Sequence, residues 1–314
     1  MPISGTSNSC DLALLENKIG HLMFLQACKP PRIIGWGSWS KSSLRSISHI
    51  KQVLRLPDAS LETFKSQAFN PGLPFLLPKA NFADAPATSK WFRPGSTIKG
   101  ETNTALNTEY LNQFANVNVP LEITTSDSFA QVHQPLLILL QASDLLDDSG
   151  VQVYLAQASL SDLPKALVDD VPTPELVTKA GKGDIYETSI WLGRAPTYTP
   201  LHKDPNPNLF VQLAGDKMVR IFNPHVGNAI FAHVQRSIGG TSSAAIRGEE
   251  MMHGEERAVL EDAVWNDRAD RPWMSHALEC QVSAGDGLFI PKGWWHSIKG
   301  IGRGMTGSVN WWFR

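Results

Sequence analysis

TPLHKDPNPNLFVQLAGDKMVRIF, residues 199–222, holds two apolar runs, Leu209 to Leu213 and Met218 to Phe222, joined by Ala214-Gly215-Asp216-Lys217. Such a pair, broken by a short glycine-bearing link, reads as two strands with a hairpin connection. The same rhythm continues on both sides. Ile185 to Leu192, Leu278 to Val282, Gly287 to Ile290 and Thr306 to Phe313 are short β-rich runs separated by turn residues. Many short strands in the second half predict a mainly β fold, a sandwich or jelly roll, behind an N-terminal helical layer. Gly239 to Ser275 interrupts the rhythm with Gly239-Gly240 and Glu249-Glu250, and reads as a long insertion between strands.

Upstream, the periods change. Leu12, Leu15, Ile19 and Met23, and then Leu44, Ile47, Ile50, Val53 and Leu54, recur near helical spacing, so residues 1–60 are expected to form a helical segment. Five prolines between Asn70 and Thr104 mark strand-and-loop structure. Pro135 to Leu146 is compatible with a buried helix, and Val151, Val153 and Leu155 alternate as a strand does. Within 314 residues, 28 Lys plus Arg face 30 Asp plus Glu, a net charge of -2 that gives no electrostatic case for nucleic acid or an anionic membrane. No apolar run approaches the roughly 20 residues of a membrane helix. Met1 to Asp11 lacks the pattern of a secretory signal, so the expected location is intracellular, cytoplasmic or nuclear. Cys10, Cys28 and Cys280 are too few and too scattered for a disulfide framework.

His202-Lys203-Asp204 carries the chemistry. On a strand, residues i and i+2 share a face, so His202 and Asp204 can hold one ion while Lys203 points away. A third ligand must come from elsewhere, and His296 follows Gly285-Asp286-Gly287-Leu288-Phe289-Ile290-Pro291-Lys292-Gly293-Trp294-Trp295. Two imidazoles and a carboxylate on one face of an ion leave open positions, the pattern of non-haem Fe(II) oxygenases. With the Pro205-Asn206-Pro207-Asn208-Leu209-Phe210 continuation and the Ser308-Val309-Asn310-Trp311-Trp312 ending, the chain resembles the Jumonji-C (JmjC) and cupin-like 2-oxoglutarate oxygenases. The similarity is nearest to their small arginyl and asparaginyl hydroxylase branch and covers about residues 61–314.

The resemblance implies a double-stranded β-helix over residues 61–314, with the 239–275 insertion inside it. It implies Fe(II) held by His202, Asp204 and His296, with 2-oxoglutarate and O2 as co-reactants. It further implies that Lys217 and Thr199 bond the remote carboxylate of 2-oxoglutarate, that Tyr154 of Val153-Tyr154-Leu155-Ala156-Gln157 reaches it too, and that Asn208 and Asn310 line the same site. Trp191 matches an aromatic wall, and Glu122 an acidic anchor, for the prime substrate; where that branch has a tryptophan after the acid, this chain has Ser126-Asp127-Ser128-Phe129. An acid facing an indole suits a guanidinium or ammonium. The implied activity is hydroxylation of a protein side chain such as arginine or of a small molecule. N-methyl lysine or arginine demethylation, secondary-metabolite oxidation, a non-catalytic cupin, and a zinc or manganese cupin enzyme are the alternatives.

Overall fold

The computed structural model describes residues 50–79, 82, 84–98, 101–125, 128–143, 150–240, 254–266 and 271–314. Two sheets dominate. The smaller has the order β1 (Lys51–Gln52), β12 (Leu278–Val282), β11 (Asp216–Phe222), β14 (Trp295–Ile301) and β9 (Thr197–Lys203). The larger runs β2 (Phe75–Leu77), β13 (Gly287–Ile290), β10 (Asn208–Ala214), β15 (Met305–Phe313), β8 (Ile185–Arg194), β7 (Gln152–Ser159), β5 (Asn118–Thr124) and β6 (Phe129–Pro135). All pairings but that of β1 with β12 are antiparallel, as expected for a jelly roll. A separate hairpin pairs β3 (Phe92–Ile98) with β4 (Glu101–Leu106).

Apolar residues from both sheets meet in one core: Phe210, Leu288 and Ile290 from the larger, Val219, Ile221, Cys280 and Val282 from the smaller. A second core forms on the outer side of the smaller sheet. There Leu201, Phe222 and Trp295 pack against α2 (Pro224–Ile238) and α3 (Glu255–Trp265), α1 being Leu137–Ser143. Helix α2 has clear local causes: the Asn223 side chain accepts from Val226 N, Pro224 opens the first turn, and Gly239 ends the helix at φ 66. Arg220 ties α3 to the sheet by donating to the Val264 carbonyl at 2.7 Å and to Glu279 at 2.7 Å, while stacking 4.7 Å from the Trp265 ring.

Two expectations are corrected. Residues 209–222 do not form a hairpin, since β10 pairs with β13 and β15 while β11 pairs with β12 and β14 in the other sheet. Gly215, at φ 65, turns a corner between sheets; a Cβ there would lie 2.7 Å from the Met305 carbonyl. Ile50, Val53 and Leu54 are not on a helix: Lys51–Gln52 is a strand, and Ile50 and Val53 are buried while Leu54 is exposed, the mixture that imitated a helical stripe. The first stripe and Leu44 and Ile47 lie outside the described residues. Within the 239–275 stretch, α3 packs against α2 and β9.

Helix α2 approaches β14 closely at Gly227, where a Cβ would lie 2.1 Å from the Trp295 ring. Gly227→Ala is therefore expected to lower stability by about 1–3 kcal/mol, the usual cost of overpacking. Urea unfolding checks it, and an unchanged midpoint contradicts the packing described.

Candidate metal centre

Strand register brings the ligands together. His202 on β9 and His296 on β14 are directly paired across the ladder, with ring centroids 4.2 Å apart. Asp204 lies one residue beyond the end of β9, where its own carbonyl accepts from Gly293 N at 3.2 Å. Its Oδ1 is 4.0 Å from His202 Nε2 and its Oδ2 is 3.5 Å from His296 Nε2. All three ligand atoms lie within 4.8 Å of one another.

The donor set fits a divalent metal. Ligands about 2.1 Å from an ion, at right angles to each other, stand about 3 Å apart, near the separations found. The outer nitrogen of each imidazole is already engaged: His202 Nδ1 lies 2.9 Å from the Pro200 carbonyl, and His296 Nδ1 lies 3.2 Å from that of Trp294. Those contacts fix Nδ1–H and leave each Nε2 lone pair for an ion. Burial pushes the Asp204 carboxyl up, yet the His296 and His202 rings and the Asn208 amide outweigh it and hold the group below the usual carboxylate range. Asn208 Nδ2 donates to Asp204 Oδ2 at 2.8 Å, and Asn310 Nδ2 donates to Asn208 Oδ1 at 3.0 Å. The far end of this relay, Asn310 Oδ1, is buried and accepts from none of the described residues.

A cavity between the sheets joins these groups to others. Tyr154, Trp191, Thr199, His202, Asn208, Lys217, His296 and Asn310 all line it. Thr199 and His202 are three residues apart and would face opposite ways on a regular strand. The β9–β14 register slips between the Ile298↔Thr199 and His296↔His202 pairs, so a bulge at Pro200-Leu201 turns both inward and sends Leu201 into the outer core. Tyr154 faces Gly193 across β7 and β8, and a Cβ at Gly193 would lie 2.1 Å from the tyrosine ring. The bare glycine lets that ring lie over the strand, 6.2 Å from Trp191.

Glu122 is not among the cavity's lining residues. It is buried on β5 opposite Tyr154, on the same face of the sheet, and accepts from Gln131 Nε2 at 3.2 Å. The sequence reading missed Thr197, Phe210, Ile298, Ser308 and Trp312, all of which line the cavity. Ser308 and Trp312 were within reach, since they flank Asn310 at i−2 and i+2 on β15 and so share its face.

Lys217 is the electrostatic anomaly. It is 3% exposed, its ammonium donates to Ser308 Oγ at 2.9 Å and lies 5.4 Å from the Phe210 ring, and no carboxylate among the described residues pairs with it. Burial alone brings its pKa down to about 7. A lone buried cation is costly unless something anionic joins it.

Comparison with known proteins agrees with this geometry. Residues 64–314 match the model of the cupin-like domain. The chain belongs to the cupin-like JmjC family. That family depends on Fe(II), 2-oxoglutarate and O2, and the His-Asp-His set is present here. Among its relatives are lysine-specific demethylase JMJ30 of Arabidopsis thaliana, 25% identical over 84% of this chain and 55% of the relative, and lysine-specific demethylase 8 of Danio rerio, 26% identical over 84% and 58%. Jumonji C domain-containing protein 5 of Drosophila melanogaster is 26% identical over 82% and 59%. This cupin-like chain thus spans little more than half the length of these three relatives. Among the described residues no helix is long and apolar enough to cross a membrane.

Lys217→Met removes the uncompensated charge and keeps the volume, so it is expected to stabilise the ligand-free protein. The sign follows from linkage: the folded pKa lies below the unfolded one, so the penalty is complete below pH 7 and vanishes as pH rises past about 10. Denaturant midpoints at pH 6.5 and pH 9.5 should show the larger gain at the lower pH. A loss of stability at pH 6.5 would contradict an unpaired buried ammonium.

Proposed function

We propose that this protein is a hydroxylase that uses Fe(II), 2-oxoglutarate and O2 to oxidise a cationic, arginine-type side chain on a protein or small molecule. The carrying observation is Lys217, a buried ammonium with no carboxylate partner among the described residues, in the cavity lined by His202 and His296, which group with Asp204. In this reading the triad holds the iron, and Lys217, helped by Thr199 and Tyr154, holds the remote carboxylate of 2-oxoglutarate. Asn208 and Asn310 orient Asp204 and offer amide hydrogen bonds to the near end of the keto acid. When bound, iron and 2-oxoglutarate supply oxygen activation coupled to decarboxylation, with succinate and CO2 as products.

The chain's own residues do the positioning. Asn208 fixes Asp204, the Pro200 and Trp294 carbonyls fix the two imidazoles, and the cavity walls exclude water from the ammonium. Glu122 and Trp191 bracket Tyr154 on one face of the larger sheet, an acid and an indole that suit a guanidinium. N-methyl demethylation is the second reading, favoured by relatives named lysine-specific demethylases.

Turnover of arginine, methylarginine, lysine and methyl-lysine peptides with Fe(II) and 2-oxoglutarate separates the readings. Gain of one oxygen atom on arginine supports the hydroxylase; formaldehyde release from a methylated peptide supports the demethylase. Glu122→Gln is expected to raise the KM for a cationic substrate roughly tenfold, about 1.4 kcal/mol, without changing 2-oxoglutarate affinity. Full activity of Glu122→Gln, with a neutral compound as best substrate, would overturn the cationic pocket.

A further inference from the structure

The inward-facing metal ligands have outward-facing neighbours, and these converge on one side chain of α2. His202 pairs with His296 across β9 and β14, and the adjoining rung of that ladder pairs Lys203 with Trp295. It is the last rung, because β9 ends at Lys203 and β14 begins at Trp295. Side chains alternate along a strand, so Lys203 and Trp295 point away from the cavity that their neighbours line. Beyond this rung the chain runs on to Asp204, which no strand pairing holds.

Asn228 of α2 closes the rung from outside. Its Oδ1 accepts from Trp295 Nε1 at 3.1 Å and from Lys203 Nζ at 3.4 Å, while the same ammonium lies 5.2 Å from the Trp295 ring centroid. One oxygen thus ties the residue between His202 and Asp204 to the residue before His296. Gly227 permits the approach, since a Cβ there would strike the Trp295 ring, and Phe231 backs the indole at a centroid distance of 5.2 Å. Helix formation alone gives no reason for asparagine at this position. Asn228 is the fifth residue of α2, past the cap that Asn223 supplies, and it is exposed. Alanine is the better helix former at such a position, so what the amide adds is its hold on the rung.

We propose that Asn228 is a positioning residue for the metal centre. By holding Lys203 and Trp295 together it fixes the spacing of the strands where they carry His202 and His296, and the direction in which the chain leaves for Asp204. The inference rests on the iron-binding reading above and is independent of which substrate is oxidised. Partners that touch a metal's ligands directly are worth roughly 10–100-fold in metal affinity, and Asn228 acts one residue further out, so its removal is expected to cost about three- to tenfold.

The test titrates the full chain with Co(II) in the absence of oxygen, read by the visible d–d bands of the bound ion, alongside urea unfolding of the metal-free protein. Native protein should bind one Co(II). Asn228→Ala should bind it about three- to tenfold more weakly, with shifted bands at saturation, while its urea midpoint is equal or higher because alanine favours the helix. Asn228→Asp keeps an acceptor oxygen for both donors and should restore the native affinity and bands. Native affinity and bands in Asn228→Ala, whatever its midpoint, overturn the proposal and leave the metal centre standing. A loss of affinity that Asn228→Asp shares also overturns it, since the acceptor is then not what matters. Failure of the native protein to bind Co(II) overturns the metal centre and the proposal together.

Discussion

The register of β9 against β14 is the constraint on which the rest of the site depends. Setting His202 opposite His296 brings two imidazoles into contact, and one extra residue in β9 turns Thr199 to the same side. A slip by one residue would send every inward side chain of that strand outward. Two features outside the sheets hold the register: Leu201 and Trp295 are anchored in the core beneath α2 and α3, and Ser297 Oγ bonds both the Thr199 carbonyl and the Trp265 indole. The outer helices thus support the strands that carry the candidate metal ligands.

The ligand-free site carries several unfavourable arrangements at once. Among the described residues, Lys217 is a buried cation with no carboxylate partner, Asp204 a buried carboxylate whose surroundings hold its pKa low, and Asn310 a buried amide whose oxygen accepts no hydrogen bond. Each is tolerable alone beside the two apolar cores described above. Their convergence on one cavity is the signature of a site whose stability is completed by what it binds.

Much of this was legible in the sequence because it rests on local periods. His202 and Asp204 reveal themselves by i, i+2 spacing, and the strands of the second half by short apolar runs between turn residues. The hairpin misreading of residues 209–222 has a physical origin: a glycine at positive φ serves equally in a tight turn and at a corner between sheets, and only the long-range partners of β10 and β11 decide. The bulges at Pro200-Leu201 and Ala156-Gln157 are likewise invisible in one strand, since a bulge is defined by its neighbour. Ser308 and Trp312 followed from Asn310 by alternation and were overlooked. Thr197 and Ile298 could not be found until the register of β9 and β14 was known.

The central claim is that the His202–Asp204–His296 set and Lys217 hold a metal and a dicarboxylic keto acid in one cavity. Anaerobic titration of Fe(II)-loaded protein with 2-oxoglutarate, followed by visible absorption, tests it most directly. The account predicts a weak charge-transfer band that saturates with one keto acid per protein, requires Asp204, and in Lys217→Met needs at least roughly tenfold more 2-oxoglutarate. Native protein that retains iron but develops no band, or a Lys217→Met variant that titrates like the native protein, would contradict it.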